Sequence, residues 1–230
     1  SLVELANPAD GERILDIGCG SGELTDSLFR SADNLVVYGM DADPDMVARA
    51  QEQFGGCHFF QGDMRNFKVE TPVDLIFSNA AIHWVPREDI ERCVESISAA
   101  LKPGGRLVVE FGGKGNVESV VQATIRSLGL PQSANPWYFP SIGEFACLLE
   151  KHGIEVTSAS LFDRPTVLEG DGGLSNWLRM FGSVFFEGCS DEQVERALEK
   201  IEDDLQSNLY DGTTWIADYR RIRLVAKKSG

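Results

Sequence analysis

Positive charge is scarce in this chain. Its 230 residues carry 21 Lys and Arg against 36 Asp and Glu, a formal net charge of −15 at pH 7. A nucleic-acid backbone needs a basic footprint, and so does an anionic membrane surface; neither partner is expected. Histidine is scarcer still, at three residues. The cysteines Cys19, Cys57, Cys93, Cys147 and Cys189 are scattered and form no Cys-x-x-Cys pair. With so few histidines they build no zinc-ligand spacing, and no metal is expected. Odd, dispersed thiols read as reduced, which places the chain in the cytoplasm as an expectation. No apolar run approaches the length of a membrane span. The apolar content of 43% is that of an ordinary globular domain.

What is present is a glycine loop in a telling position. The apolar run Arg13-Ile14-Leu15 leads into Asp16-Ile17-Gly18-Cys19-Gly20-Ser21-Gly22, and a helical pattern follows over residues 23–30. Glycines between a strand and a helix allow a tight turn and let a ligand lie against bare backbone. Three more strand-like runs follow, each ending in polar residues. The run over 35–40 ends in Asp41, about 20 positions past the glycines, where a carboxylate can accept hydrogen bonds from a ribose diol. The run over 57–60 ends in Gln61-Gly62-Asp63-Met64, and that over 73–77 in Ser78-Asn79. Ligands of open α/β sheets bind outside the carboxyl ends of the strands, where all these residues would gather.

The loop chemistry narrows the ligand. Dinucleotides usually take Gly-x-Gly-x-x-Gly, with pyrophosphate on the helix N-terminus. Here the third glycine comes one residue early, and Asp16 and Glu23 would repel a pyrophosphate. A cationic ligand fits better, such as S-adenosylmethionine with its ammonium and sulfonium.

Ile14 to Gly22 resembles the first motif of the class I S-adenosylmethionine-dependent methyltransferases. Gly39-Met40-Asp41-Ala42-Asp43-Pro44-Asp45-Met46 is similar to their ribose-binding segment, and Gly62-Asp63-Met64 to their adenine-binding segment. The resemblance covers roughly the first half of the chain with high specificity. It implies S-adenosylmethionine as cofactor, held by Asp16, Gly18, Cys19, Gly20 and Gly22 in the loop. It further implies contacts from Asp41, Ala42 and Met46, from Gly62, Asp63 and Met64, and from Asn79 and Ala80. Ser78-Asn79-Ala80-Ala81-Ile82-His83-Trp84-Val85 is similar to the fourth-strand motif of the trans-aconitate methyltransferase group, which converts carboxylic acids to methyl esters. Trp215 to Lys227 is similar to that group's closing strand. A small-molecule acid is therefore the expected acceptor. Phe111-Gly112-Gly113-Lys114-Gly115-Asn116 departs from the group, so the individual substrate does not carry over. Asn79-Ala80-Ala81-Ile82 also lacks the Asn-Pro-Pro-aromatic signature of nucleobase-amino methyltransferases.

Strand and helix patterns alternate through residue 128, which specifies a parallel sheet with helices on both faces. The resemblance implies a doubly wound, mostly parallel, seven-stranded Rossmann-like α/β sheet. The spacing predicts a helix over 87–101, a fifth strand over 106–111 and a helix over 116–128. Residues 131–140 read as a loop presenting Trp137-Tyr138-Phe139 on the surface. Ser141-x-x-Glu144 and Ser190-x-x-Gln193 read as capping boxes. A strand is expected over 154–162, an aromatic-rich helix over 174–187 and one long closing strand over 213–227. Residues 1–230 are expected to form a single methyltransferase domain, with a helical cap at about 170–210 over the carboxyl end of the sheet. The resembled group has a cofactor-covering helix ahead of the first strand, so the chain is expected to be trimmed there. The composition sets no oligomeric state.

Methyl transfer from sulfonium is an in-line displacement, so an enzyme's tasks are alignment and exclusion of water. A carboxylate nucleophile is ionised at neutral pH and needs no base. His83 is the leading catalytic candidate, as a donor that orients a substrate oxygen; a base role arises only if the nucleophile carries a proton. Trp84 is expected to wall the pocket, and Trp137 and Tyr138 to line the acceptor site. Arg179 and Arg220, with Arg164, are candidate carboxylate clamps. Three alternatives stay open: transfer to carbon or a hydroxyl oxygen with His83 as base, a nicotinamide-dependent oxidoreductase, and a non-catalytic S-adenosylmethionine-binding module. The early third glycine and the acidic loop speak against the oxidoreductase.

Overall fold

The computed structural model describes residues 1–170 and 172–230. In chain order the elements begin with α1 (Leu2–Ala6), β1 (Arg13–Ile17), α2 (Glu23–Phe29), β2 (Val36–Asp41), α3 (Pro44–Gln53) and β3 (His58–Gln61). There follow β4 (Val73–Asn79), α4 (Ile90–Ala100), β5 (Leu101–Gly112), α5 (Glu118–Leu128), α6 (Ile142–Lys151) and β6 (Ile154–Asp163). The chain closes with β7 (Thr166–Leu168), α7 (Gly173–Phe181), α8 (Asp191–Leu209), β8 (Trp215–Ala217) and β9 (Arg220–Lys228). Two compact units result, one of residues 1–113, 137–161 and 222–230, the other of 114–136 and 162–221.

The first unit is built on a seven-stranded, mostly parallel sheet in the order β3-β2-β1-β4-β5-β9-β6. The five strands from β3 to β5 are mutually parallel. The chain runs outward from β1 to β3, then returns to place β4 on the other side of β1. That reversal opens a crevice at the carboxyl ends of β1 and β4, the place where such sheets bind ligands. Successive strand residues face opposite sides. Ile14, Val37, Leu75 and Val108 pack with Leu2, Ala6 and Leu28 on one face. Leu15, Met40, Ile76 and Leu107 pack with Cys93, Val94, Ile97 and Phe145 on the other. Burial on both faces is what a doubly wound sheet requires.

Three expectations are corrected here. Residues 87–89 form a separate 3-10 turn, and α4 begins only at Ile90. Ser141 caps α6 by accepting the Glu144 N–H at 3.2 Å, but Glu144 pairs with Arg87 instead of turning back, so the box is half made. Trp137 and Tyr138 are not presented to solvent but are 7% and 2% exposed. The Arg87 guanidinium lies 5.0 Å over the Tyr138 ring, and the Tyr138 N–H donates to the His83 carbonyl at 3.0 Å.

In the second unit α5 packs on α8, where Ser127 Oγ donates to the Ala197 carbonyl at 3.4 Å. β7 and β8 form an antiparallel two-stranded sheet. The long closing strand expected over 213–227 is two strands, β8 and β9. The break falls at Asp218, whose carbonyl accepts the Val117 N–H at 3.0 Å and whose carboxylate accepts the Ser119 N–H at 2.9 Å. The helix expected over 174–187 divides likewise, at Gly182, into α7 and a 3-10 turn over Ser183–Phe186. Ser190 and Gln193 do form a full capping box at the start of α8. Among the described residues no helix is long and apolar enough to cross a membrane.

Candidate active site

The loop after β1 owes its course to contacts that exclude side chains. A Cβ on Gly18 would lie 2.2 Å from Ala81 Cβ and 2.6 Å from Met64 Cε, and its φ is +73°. Gly18 therefore lets the loops after β1, β3 and β4 converge. Gly20 has φ +55° but meets nothing within 4 Å. Its open side faces a cavity it helps to line. Gly22 instead serves packing: a Cβ there would come within 2.9 Å of the Phe59 ring.

Carboxylates are set around this loop by backbone and hydroxyl donors. Asp16 is 2% exposed and accepts from Thr25 Oγ1 at 2.7 Å. Burial pushes its carboxyl up to about 7, and the charge of Asp41 adds to the rise. Asp41 accepts the Gly20 N–H at 2.8 Å on one oxygen and the Asp43 N–H at 3.0 Å on the other. Each oxygen keeps a second lone pair. Asp63 accepts from Arg65 Nε at 2.9 Å on both oxygens, and Arg65 reaches on to Asp89 at 3.1 Å. The Arg65 hydrogen bonds hold the Asp63 carboxyl below its usual range. Burial raises the Cys19 thiol well above the ordinary cysteine range, so it behaves as an inert small side chain.

The end of β4 turns sharply. Ala80 has φ +56°, a left-handed conformation that costs a non-glycine residue about 1–2 kcal/mol. Its N–H is held by the Glu110 carbonyl at 2.7 Å. The turn delivers the 3-10 segment Ile82–Trp84. His83 within it is buried, and its Nδ1 accepts the Gly112 N–H at 3.3 Å. A neutral imidazole that accepts at Nδ1 carries its proton on Nε2, where it can only donate. Its ring packs 5.5 Å from Trp84 and 5.8 Å from Phe139. Trp84 is 48% exposed and meets Trp137 edge-on at 6.0 Å.

Two adjoining cavities form the crevice and share Gly18, Asp41, Ala81 and Trp84. One of about 410 Å³ is bounded by Met40, Ala42, Gly62, Asp63, Met64 and Val85. The other, of about 560 Å³, is bounded by Asp16, Cys19, Gly20, Met46, Asn79 and Ala80, with Glu23 and Asp43 adding charge. The first offers a largely apolar slot with one ion pair at its edge. The second is an acidic chamber, suited to a cation and hostile to pyrophosphate.

The family model described as a methyltransferase domain matches residues 14–105. The chain is 34% identical to an uncharacterized methyltransferase of Schizosaccharomyces pombe, over 99% of this chain and 90% of that protein. The chain belongs to the class I S-adenosylmethionine-dependent methyltransferases. It is 30% identical to a trans-aconitate 2-methyltransferase of Mycobacterium ulcerans, over 100% of this chain and 89% of that protein. Its fold is that of the YcgJ protein from Bacillus subtilis, with a TM-score of 0.69 at 16% identity, covering 100% of this chain and 97% of the other.

S-adenosylmethionine is the cofactor of this methyltransferase, and the crevice suits it. The buried Asp16 lacks any cationic partner among the described residues, and the open side of Gly20 leaves room for a ligand against the backbone. Of the residues expected at the cofactor site, all but Gly22 border the crevice. His83 is not among the residues bordering it; Trp84 is. Within the first unit Trp137 meets Trp84 edge-on and Tyr138 is tied to His83 through its backbone N–H. Arg179 and Arg220 belong to the second unit, where they pair with Glu195 and Asp163. Sequence reasoning overlooked Arg65, although an arginine two residues after an expected contact carboxylate was a visible signal. It also overlooked Thr25, which carries no local signature of its bond to Asp16.

Proposed function

We propose that this methyltransferase moves the methyl group of S-adenosylmethionine onto a carboxylate oxygen of a small acid, giving a methyl ester. The observation that carries the reading is the Gly112 N–H directed at Nδ1 of His83, from which the tautomer follows. With Nδ1 occupied by the Gly112 N–H, the ring offers a proton at Nε2 and no lone pair there to act as a base. A nucleophile that is already ionised asks for just such a donor. The similarity over nearly the whole chain to a trans-aconitate 2-methyltransferase supports the same acceptor class.

In this reading Asp16 takes the ammonium group of the cofactor and Asp41 the ribose diol. Asp63, braced by Arg65, faces the adenine edge, with Met40 and Met64 bordering the slot for the ring. S-adenosylmethionine supplies an activated methyl group when bound. The acceptor oxygen forms its bond to the methyl carbon as the carbon–sulfur bond breaks, the electron pair stays on sulfur, and no proton moves. Trp84, on the crevice wall, shields the reacting atoms from water, and His83, buried beside it, is the donor assigned to orient the attacking carboxylate once the acceptor is bound. Labelled S-adenosylmethionine offered with a panel of small di- and tricarboxylic acids, each beside its amide, tests the assignment. Label should enter at least one acid and none of the amides; transfer to amides or alcohols in preference to acids refutes it.

A further inference from the structure

Along one face of the sheet, reaching the amino ends of β1 and β4, lies a third cavity, of about 350 Å³, that shares no residue with the crevice. Its floor is apolar and comes from adjacent strands: Leu15 of β1, its register partner Tyr38 of β2, Phe60 of β3, and Val69 from the segment before β4. Its rim carries Arg13, the first residue of β1, and Lys68. The one hydrogen bond of Arg13 beyond the sheet ladder is from its backbone N–H to Asp74, and neither cationic side chain is in an ion pair with a described residue. Glu70 also reaches the rim, which leaves one negative charge against two positive ones.

We infer that this cavity is a second small-molecule site, for an organic monocarboxylate with an apolar body. The shape and the charge each reject the simpler ligands. An inorganic anion would satisfy Arg13 and Lys68 but leave the Leu15, Tyr38 and Phe60 surface covered by water. A neutral hydrocarbon would cover that surface and leave the rim with its one excess positive charge. An apolar cavity of about 150 Å³ suffices for benzene, so the present volume holds an aromatic ring or short branched chain together with its carboxylate. The carboxylate would lie between guanidinium and ammonium, an arrangement that gives short, charge-assisted hydrogen bonds. The site stands apart from methyl transfer, because Arg13 and the segment before β4 lie at the amino ends of strands whose carboxyl ends form the crevice.

Calorimetry on the full chain, saturated with S-adenosylhomocysteine, tests this with phenylacetate, phenylacetamide and inorganic phosphate as probes. Phenylacetate should bind at least tenfold more tightly than the other two. Arg13→Met and Lys68→Met should each weaken it at least tenfold and leave S-adenosylhomocysteine affinity unchanged. The amide comparison needs no variant and so stands even if Arg13→Met folds poorly. Equal binding of acid and amide, no binding of phenylacetate, unaltered affinity in the Lys68 variant, or displacement of phenylacetate by S-adenosylhomocysteine would each overturn the inference.

Discussion

The backbone N–H of Gly112 points at Nδ1 of His83 across 3.3 Å, so the last residue of β5 decides which nitrogen of the ring holds the proton. The loop after β4 thus presents a donor whose protonation is set by a neighbouring strand. Orientation and proton abstraction are different tasks, and the two make different demands on this ring.

A substitution at His83 separates them. If the ring only donates, His83→Gln keeps measurable turnover, because an amide can donate too. The rate should stay nearly flat from about pH 6.5 to 8.5, the range in which an ordinary histidine changes charge. Loss of a base would cost roughly 10²–10⁴-fold and remove a rising limb from the wild-type profile. Initial rates across that range, with cofactor saturating, distinguish the two.

Gly18 and Gly20 should respond differently to alanine. Gly18→Ala drives a methyl group into Ala81 and Met64, so thermal stability and cofactor affinity both fall, with about 1–3 kcal/mol lost to overpacking alone. Gly20→Ala meets no neighbour; it should lose only about 1–2 kcal/mol to its left-handed backbone while weakening cofactor binding by intruding on the cavity. Adding Ala81→Gly to the Gly18 variant should recover part of its stability. Melting curves and cofactor titrations of the three proteins check this, and equal losses at Gly18 and Gly20 would contradict it.

Asp41 is expected to hold the ribose through the lone pairs its backbone bonds leave over. Asp41→Ala should weaken S-adenosylhomocysteine by about 1.5–3 kcal/mol, the range for hydrogen bonds to a charged group. The fold should survive, since the carboxylate lies outside both faces of the core. An unchanged dissociation constant in calorimetry would move the ribose contact to another residue.

Asp16 couples the cofactor to pH. Its folded carboxyl is raised to about 7 by burial, above the ordinary value near 4 for an unfolded chain. A raised folded value stabilises the empty protein fully below about pH 4, and that contribution is lost as pH rises towards 7. The cofactor's ammonium favours the ionised carboxylate, so ligand-induced stabilisation should grow between about pH 5.5 and 7.5. Asp16→Asn should remove that growth. Melting temperatures with and without S-adenosylmethionine, over this pH range, give the readout; the same increment at every pH in the native protein would rule the coupling out.

The crevice was legible because its residues stand at the ends of strands, and strand order in an open α/β sheet places those ends together. Local chemistry marked Asp16, Asp41 and Asp63 before any fold was known. Long-range contacts left no such mark. Trp137 and Tyr138 sit in a proline-flanked stretch that reads as surface, yet their burial comes from Trp84, His83 and Arg87, about fifty positions upstream. The turn at Ala80 was hidden because the left-handed position carries no glycine. The break in the closing strand was hidden because Asp218 is held by Val117 and Ser119, about a hundred positions away in sequence. Alternation stands on both sides of that break, at Trp215, Ala217 and Tyr219 and again at Ile222, Leu224 and Ala226, so only the slip of phase at Arg220-Arg221 marks it.

The chemistry of the product tests the central claim most directly. The methylated product, made from methyl-labelled S-adenosylmethionine and an accepted acid, is isolated and warmed in dilute alkali. A methyl ester hydrolyses there, so the account predicts that the label leaves as volatile methanol and the free acid returns. Label that stays with the product through alkali would place the methyl group on carbon or on an ether oxygen, and would contradict carboxylate methylation.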